Sequence, residues 1–181
     1  MCSFSGLDDC VSQPSMLNYM QKIKSPNFLE TLNPEEAVDE HCGFQLKLVS
    51  CIQDMKRCYP SIGPSVTFDL VISAEKYLCA EGKPGFIENF HCMMNNFVRD
   101  HNNLQSCGKL YPELIKARKR KTGSGVSSEE CRALEKVLSC FEDRSRTLCG
   151  GNAATYIRSY LEAMIKPLTK GITCNNGTVT Q

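Results

Sequence analysis

Along "HCGFQLKLVSCIQDMKRC", residues 41–58, apolar positions return every three or four residues while Lys, Gln and Asp fill the gaps, the pattern of an amphipathic helix. The same period recurs along the chain between clear start and stop signals, and strict alternation is scarce, so the sequence predicts an all-α fold. "NPEEAVDEHC" opens the first long helix, with Asn33 as N-cap, Pro34 at the first helical position and Glu36 three residues after the cap. It is expected to run to about Cys58, before Pro60. A weaker helix is expected from Ser15 to Lys24.

"TFDLVISAEKYLCAEG" gathers Phe68, Val71, Ile72, Tyr77, Leu78 and Cys79 toward one side, with Gly82 as its C-terminal stop. "GFIENFHCMMNNFVRD" spaces Phe86, Phe90, Met93 and Phe97 at helical intervals. "SSEECRALEKVLSCFEDRSRTLCGG" carries a capping box from Ser127 to Glu130 and ends at Gly150-Gly151. "NAATYIRSYLEAMIKPL" follows, from Asn152 as cap to a break at Pro167, with Ile157, Leu161 and Met164 on one stripe. A bundle of about five to six helices in one domain over residues 1–181 accounts for these segments, and a chain of this length buries a real core. The stripes are expected to form that core; they also motivate a second role, as carrier of a lipid or small apolar ligand.

Cysteine usage sharpens the picture. Twelve are present, Cys2, Cys10, Cys42, Cys51, Cys58, Cys79, Cys92, Cys107, Cys131, Cys140, Cys149 and Cys174, an even number that six bridges would consume. Such usage belongs to an oxidising compartment, so the chain is expected to be secreted and stapled by disulfides. Two cysteines nine apart on one helix lie about 13 Å from each other along the axis, whereas a disulfide holds its Cα atoms within roughly 7 Å. Members of the sets Cys42, Cys51, Cys58 and Cys131, Cys140, Cys149 are therefore expected to bond outside their own helix. Nine residues also turn a helix through about 900°, so Cys131 and Cys149 share a face and Cys140 looks the other way. That helix is expected to be held on two sides by different neighbours. The spacing also argues against a shared zinc, and the chain contains no CxxC.

"CGFQLKLVSCIQD" from Cys42 and "CRALEKVLSCFED" from Cys131 match at both cysteines, at Lys47 and Lys136, Ser50 and Ser139, and Asp54 and Asp143. Six cysteines fall on each side of residue 84, and the echo points to two related halves, 1–84 and 85–181. The run Cys42, Cys51, Cys58, then "KYLCAEG", "ENFHCM", "LQSCGKL" and the series Cys131, Cys140, Cys149, Cys174 resembles a nematode secreted family catalogued as domain of unknown function nineteen. The resemblance implies twelve cysteines in a largely helical extracellular domain, and implies no chemistry.

The formal net charge of +1 gives no global field that would gather nucleic acid or anionic membrane, and neither partner is expected. No stretch reaches the roughly 18 apolar residues of a membrane span. The first twenty residues have neither a basic start nor a long apolar run, so export is inferred from the thiols rather than read from a signal. One strong charge run stands out, "KARKRKTGSG", with Lys116, Arg118, Lys119, Arg120 and Lys121. A polyanion patch, a nuclear-import tag and a dibasic processing site all use such residues, but import conflicts with six bridges. The plainest expectation is a solvated helix end with cations near its negative pole, followed by a loop.

His41, His91 and His101 form no HExxH or i, i+4 pair, and Asp100-His101 are adjacent rather than facing. No catalytic residue, metal ligand or cofactor is assigned, and the chain is expected not to be an enzyme. Asn176-Gly177-Thr178 is a glycosylation sequon in a polar tail. The expected role is binding to another extracellular protein or surface.

Overall fold

The computed structural model describes residues 33–58, 66–99, 102–119, 126–169, 173–175 and 178–180. Helix α1 (Pro34–Cys58) begins where Asn33 Oδ1 accepts the Glu35 N–H at 3.0 Å, and Glu35 and Glu36 sit in the first turn near the positive helix end. It is followed by α2 (Val66–Leu78), α3 (Lys83–Met93), a π-helical turn (Met94–Arg99), α4 (Asn102–Gly108) and α5 (Tyr111–Lys119). Then come α6 (Ser128–Cys149), α7 (Gly151–Thr169) and an antiparallel pair, β1 (Thr173–Asn175) with β2 (Thr178–Thr180). The helix expected from Ser15 to Lys24 lies outside the described residues.

The fold is the all-α, disulfide-stapled bundle that the periodicity predicts. Helix α6 starts with the expected capping box: Ser127 Oγ accepts the Glu130 N–H at 3.1 Å while the Glu130 carboxylate accepts the Ser127 N–H at 3.5 Å. It ends at Gly150, whose φ of 89° is left-handed. The Gly150 N–H donates to the Arg146 carbonyl, and the Gly150 carbonyl accepts from Ala154. One glycine thus closes α6 and opens α7, a corner of a single residue that lets α7 pack along α6.

Several local expectations are corrected. Helix α2 stops at Leu78, and Gly82 is the residue before α3, with right-handed φ; its N–H donates to the Tyr77 carbonyl at 2.8 Å. A Cβ on Gly82 would fall on the Tyr77 ring, so close approach, not a left-handed turn, explains that glycine. Val71, assigned to the apolar side of α2, is exposed. The helix expected through Phe97 changes to π winding at Met94. There the Asn96 side-chain amide donates to the Cys92 carbonyl, the acceptor that its own backbone N–H would take in an α-helix. Asn152 lies inside α7 and donates to Glu88 on α3 instead of capping.

Nor does Pro167 break α7. Its missing N–H leaves the carbonyl of Ala163, four residues back, without an intrahelical partner. Ser73 Oγ on α2 donates to that carbonyl at 2.7 Å, and the helix continues to Thr169. Within the polar tail, Cys174 lies in β1 opposite Val179 of β2.

Helix α7 packs most extensively against α2 and α6. On one side Ala37, Val38, Cys42, Leu78 and Phe90 are buried together, with Phe86, Ile87 and Met94 against them. On the other, Leu134, Leu138 and Leu161 are buried with Leu114, Phe141, Ile157, Met164 and Ile165. Tyr160 borders both clusters. The aromatic and Met stripes therefore form core. Each buried Leu or Phe contributes about 1.5 to 3 kcal/mol relative to exposure.

Four bridges are described: Cys42–Cys79, Cys92–Cys149, Cys107–Cys140 and Cys131–Cys174, with Cα atoms 5.3 to 5.7 Å apart. Each member of the Cys131, Cys140, Cys149 set reaches a different segment: β1, α4 and α3. Helix α6 is thereby fastened to three neighbours, and each bridge contributes about 2 to 4 kcal/mol, chiefly by restricting the unfolded chain. Cys42–Cys79 falls within residues 1–84 and the other three within 85–181. Cys51 and Cys58 lie on α1, beyond its described side chains, and Cys2 and Cys10 lie outside the described residues.

Candidate functional site

Helices α5 and α6 face each other across a groove of ≈ 440 Å³, lined by Glu113, Lys116 and Ala117 from α5 and Glu129, Arg132, Ala133 and Lys136 from α6. Both sets follow helical spacing: positions 113, 116 and 117 share one face, and so do 129, 132, 133 and 136. Ala117 and Ala133 are buried and give the groove a floor of methyl groups. Because these floor residues are short, the space above them stays open between longer charged walls. Lys136 Nζ lies 3.4 Å from Glu113 Oε2 across the groove, both side chains well exposed. Lys116 and Arg132 are exposed and form no ion pair among the described residues.

Of the basic run, the structure places Lys116 in this groove and Arg118 and Lys119 in the last turns of α5. Arg120 and Lys121 lie outside the described residues, as does Asn176 of the sequon, whose Thr178 opens β2. Sequence reasoning stopped at the run itself and missed Arg132 and Lys136. Their four-residue spacing on the same side of α6 was a readable signal, but only the tertiary packing brings them opposite Lys116.

Behind the groove, the other face of α6 is locked to α7 by charge. Arg158 donates from two nitrogens to the two oxygens of Glu135, at 2.8 and 2.9 Å, and also bonds Glu162; Glu142 lies 3.7 Å away. The Arg158 hydrogen bond holds the Glu135 carboxyl below its usual range against the opposing effect of burial, and the same bond raises Arg158.

A second polar group lies within the core. Tyr77, Tyr156 and Tyr160 approach one another with ring centroids 6.0 to 6.5 Å apart, and Phe86 lies 5.7 Å from Tyr156. Burial pushes Tyr160 up to about 12, with Glu75 adding to it, and raises Tyr156 further. The Tyr156 hydroxyl is buried without a hydrogen-bond partner among the described residues. His41 Nε2 lies 3.0 Å from Glu75 Oε2, joining α1 to α2; His91 is exposed beside the Phe90 ring, and Asp100 and His101 are outside the described residues. The tyrosine cluster and the His41–Glu75 pair knit helices together.

Helices fastened by disulfides around an α6 spine, with a charged groove on the outer side, define a cysteine-rich all-α domain. No helix among the described residues is long and apolar enough to cross a membrane. No protein-family model, curated protein or solved structure matches the chain.

Proposed function

We propose that the protein is a secreted helical module that acts by binding an extracellular protein or surface, as its resemblance to the nematode twelve-cysteine family implies. The observation that carries this reading is the bridge set on α6. Three disulfides hold α3, α4 and the C-terminal hairpin against one helix, which gives the outer faces fixed positions without metal or partner. Rigid presentation of a surface reduces the ordering cost of association and suits recognition. Thiols paired in this manner are stable in an oxidising compartment. The reading assigns the protein no reaction.

The apolar stripes that motivate a carrier are engaged in packing: Phe86 and Phe90 meet edge to face at 5.8 Å, and Leu161 is buried against Leu134 and Leu138. The binding reading is favoured on that ground. The oxidised full chain should bind saturably to extracellular matrix or intact cell surfaces, and its solvent extract should carry no stoichiometric lipid by mass spectrometry. Stoichiometric lipid together with unsaturable surface binding would replace the module with the carrier.

A further inference from the structure

We infer that the groove between α5 and α6 binds linear sulfated polysaccharide, with Lys116, Arg132 and Lys136 as the cations that meet the sulfates. The inference rests on the extracellular binding role proposed above and names the ligand class of one site.

Charge is unevenly distributed in this chain. Residues 113–136 carry seven Lys and Arg against four Glu, although the whole chain is only +1. Two of those four carboxylates are turned to internal partners: Glu130 is buried in the capping box of α6, and Glu135 is held by Arg158. The groove keeps Glu113 and Glu129 beside its three cations. Glu113 bonds Lys136 through an exposed pair, a kind of contact that water screens and an arriving anion readily displaces. Arg132 and Lys136 are one turn apart, about 6 Å along α6, and Lys116 stands across the alanine floor. A sugar ring can rest on the Ala117 and Ala133 methyls while sulfates on either edge accept hydrogen bonds from the walls. Next to Lys116 in sequence stand Arg118, Lys119, Arg120 and Lys121, which add to the positive charge of this stretch of chain.

The lining favours a sulfated glycan over nucleic acid. None of the seven lining residues is aromatic, so unpaired bases find no ring on which to stack. The width of the groove is also set covalently, since Cys107–Cys140 pins α4, immediately before α5, to α6.

The oxidised full chain should be retained on immobilised heparin beyond roughly half-molar NaCl, where screening suppresses casual surface attraction. Replacing Lys116, Arg132 and Lys136 together by Gln should weaken binding at least about tenfold and flatten its salt dependence by two to three charges' worth of released counterions, with the helix signal unchanged. Glu113→Gln, which frees Lys136, should tighten binding, an effect that misfolding could not produce. Elution below half-molar salt, a triple variant that binds like the parent, or equal competition by a single-stranded oligonucleotide of matched charge would overturn the inference. Lyase removal of sulfated glycans from cell surfaces separates the two levels of the argument. Binding lost on stripped cells supports the groove assignment; saturable binding that persists overturns it and leaves the extracellular module standing.

Discussion

Ser73 on α2 donates its hydroxyl to the carbonyl of Ala163 on α7, the acceptor that Pro167 leaves unserved. A proline that would end an isolated helix is accommodated by a side chain from a neighbouring one. Ser73→Ala should therefore cost about 1 to 2 kcal/mol in denaturant unfolding, since it leaves a backbone acceptor unpaired. In a Pro167→Ala background, where residue 167 regains an N–H for Ala163, the same substitution should cost distinctly less. Equal costs in both backgrounds would mean that the hydroxyl does not compensate for the proline.

Arg158 clamps Glu135 with two parallel hydrogen bonds, both side chains only 24% exposed. Arg158→Ala should destabilise by about 1 to 3 kcal/mol, and Arg158→Lys should recover only part, because an ammonium lacks the planar fork. The Glu135 carboxyl is depressed in the fold. Its stabilisation is thus fully present above the ordinary value of 4.5 and is lost as pH falls through the lowered value. Stability measured against pH should fall less steeply in acid for Arg158→Ala than for the parent.

Gly150 has φ 89° and ψ −176°, a region reserved almost wholly for glycine, while a Cβ there would meet nothing within 4 Å. Gly150→Ala isolates backbone strain from steric clash. A loss of about 1 to 3 kcal/mol is expected, read as a lowered midpoint at unchanged denaturant slope.

The Tyr156 hydroxyl is buried without a partner among the described residues, so Tyr156→Phe should leave stability unchanged or raise it by up to about 1 kcal/mol. A loss larger than that would reveal a partner for the hydroxyl. Alkali probes the same cluster. Tyr160 titrates at about 12 in the fold, so its contribution is intact below its ordinary value of 10 and is lost as pH rises through 12. Unfolding midpoints should decline over that interval.

Trypsin acting within "RKRK", residues 118–121, would cut between cysteines joined by two bridges, Cys92–Cys149 and Cys107–Cys140. The nicked chain should remain one species on a non-reducing gel and separate into two after reduction. It should retain its helix signal, since neither piece can diffuse away.

Much of this architecture was legible in the chain. Helix α6 announces both ends, by the Ser127 and Glu130 box and by Gly150, because caps are local chemistry. The rule that cysteines nine apart must bond elsewhere also holds for every bridge described, because it follows from helical rise alone. What escaped was non-local. Pro167 read as a break because nothing near it in sequence reveals Ser73, which lies ninety residues before the Ala163 carbonyl that it serves. Val71 read as core because period alone does not say how wide the buried stripe is. Lys116 was visible within its run, whereas its meeting with Arg132 and Lys136 is made by the packing of two helices joined through residues 120–127.

The bridges on α6 also settle how a pulling force travels through the molecule. Tension applied between Cys92 and Cys174 enters α6 at Cys149 and leaves it at Cys131, so α7 and the segments from α4 to α5 lie on closed loops beside the covalent path. Among the described bridges the Cys131 to Cys149 stretch is the shortest covalent connection between those points, and Cys107–Cys140 ties a second strand in parallel with it. Extension between those points is capped at about 65 Å, the fully extended reach of that stretch. For a protein anchored by its ends in a moving matrix, α6 would act as a tether of fixed maximum length, with α7 on the longer parallel connection that runs from Cys149 to Cys174.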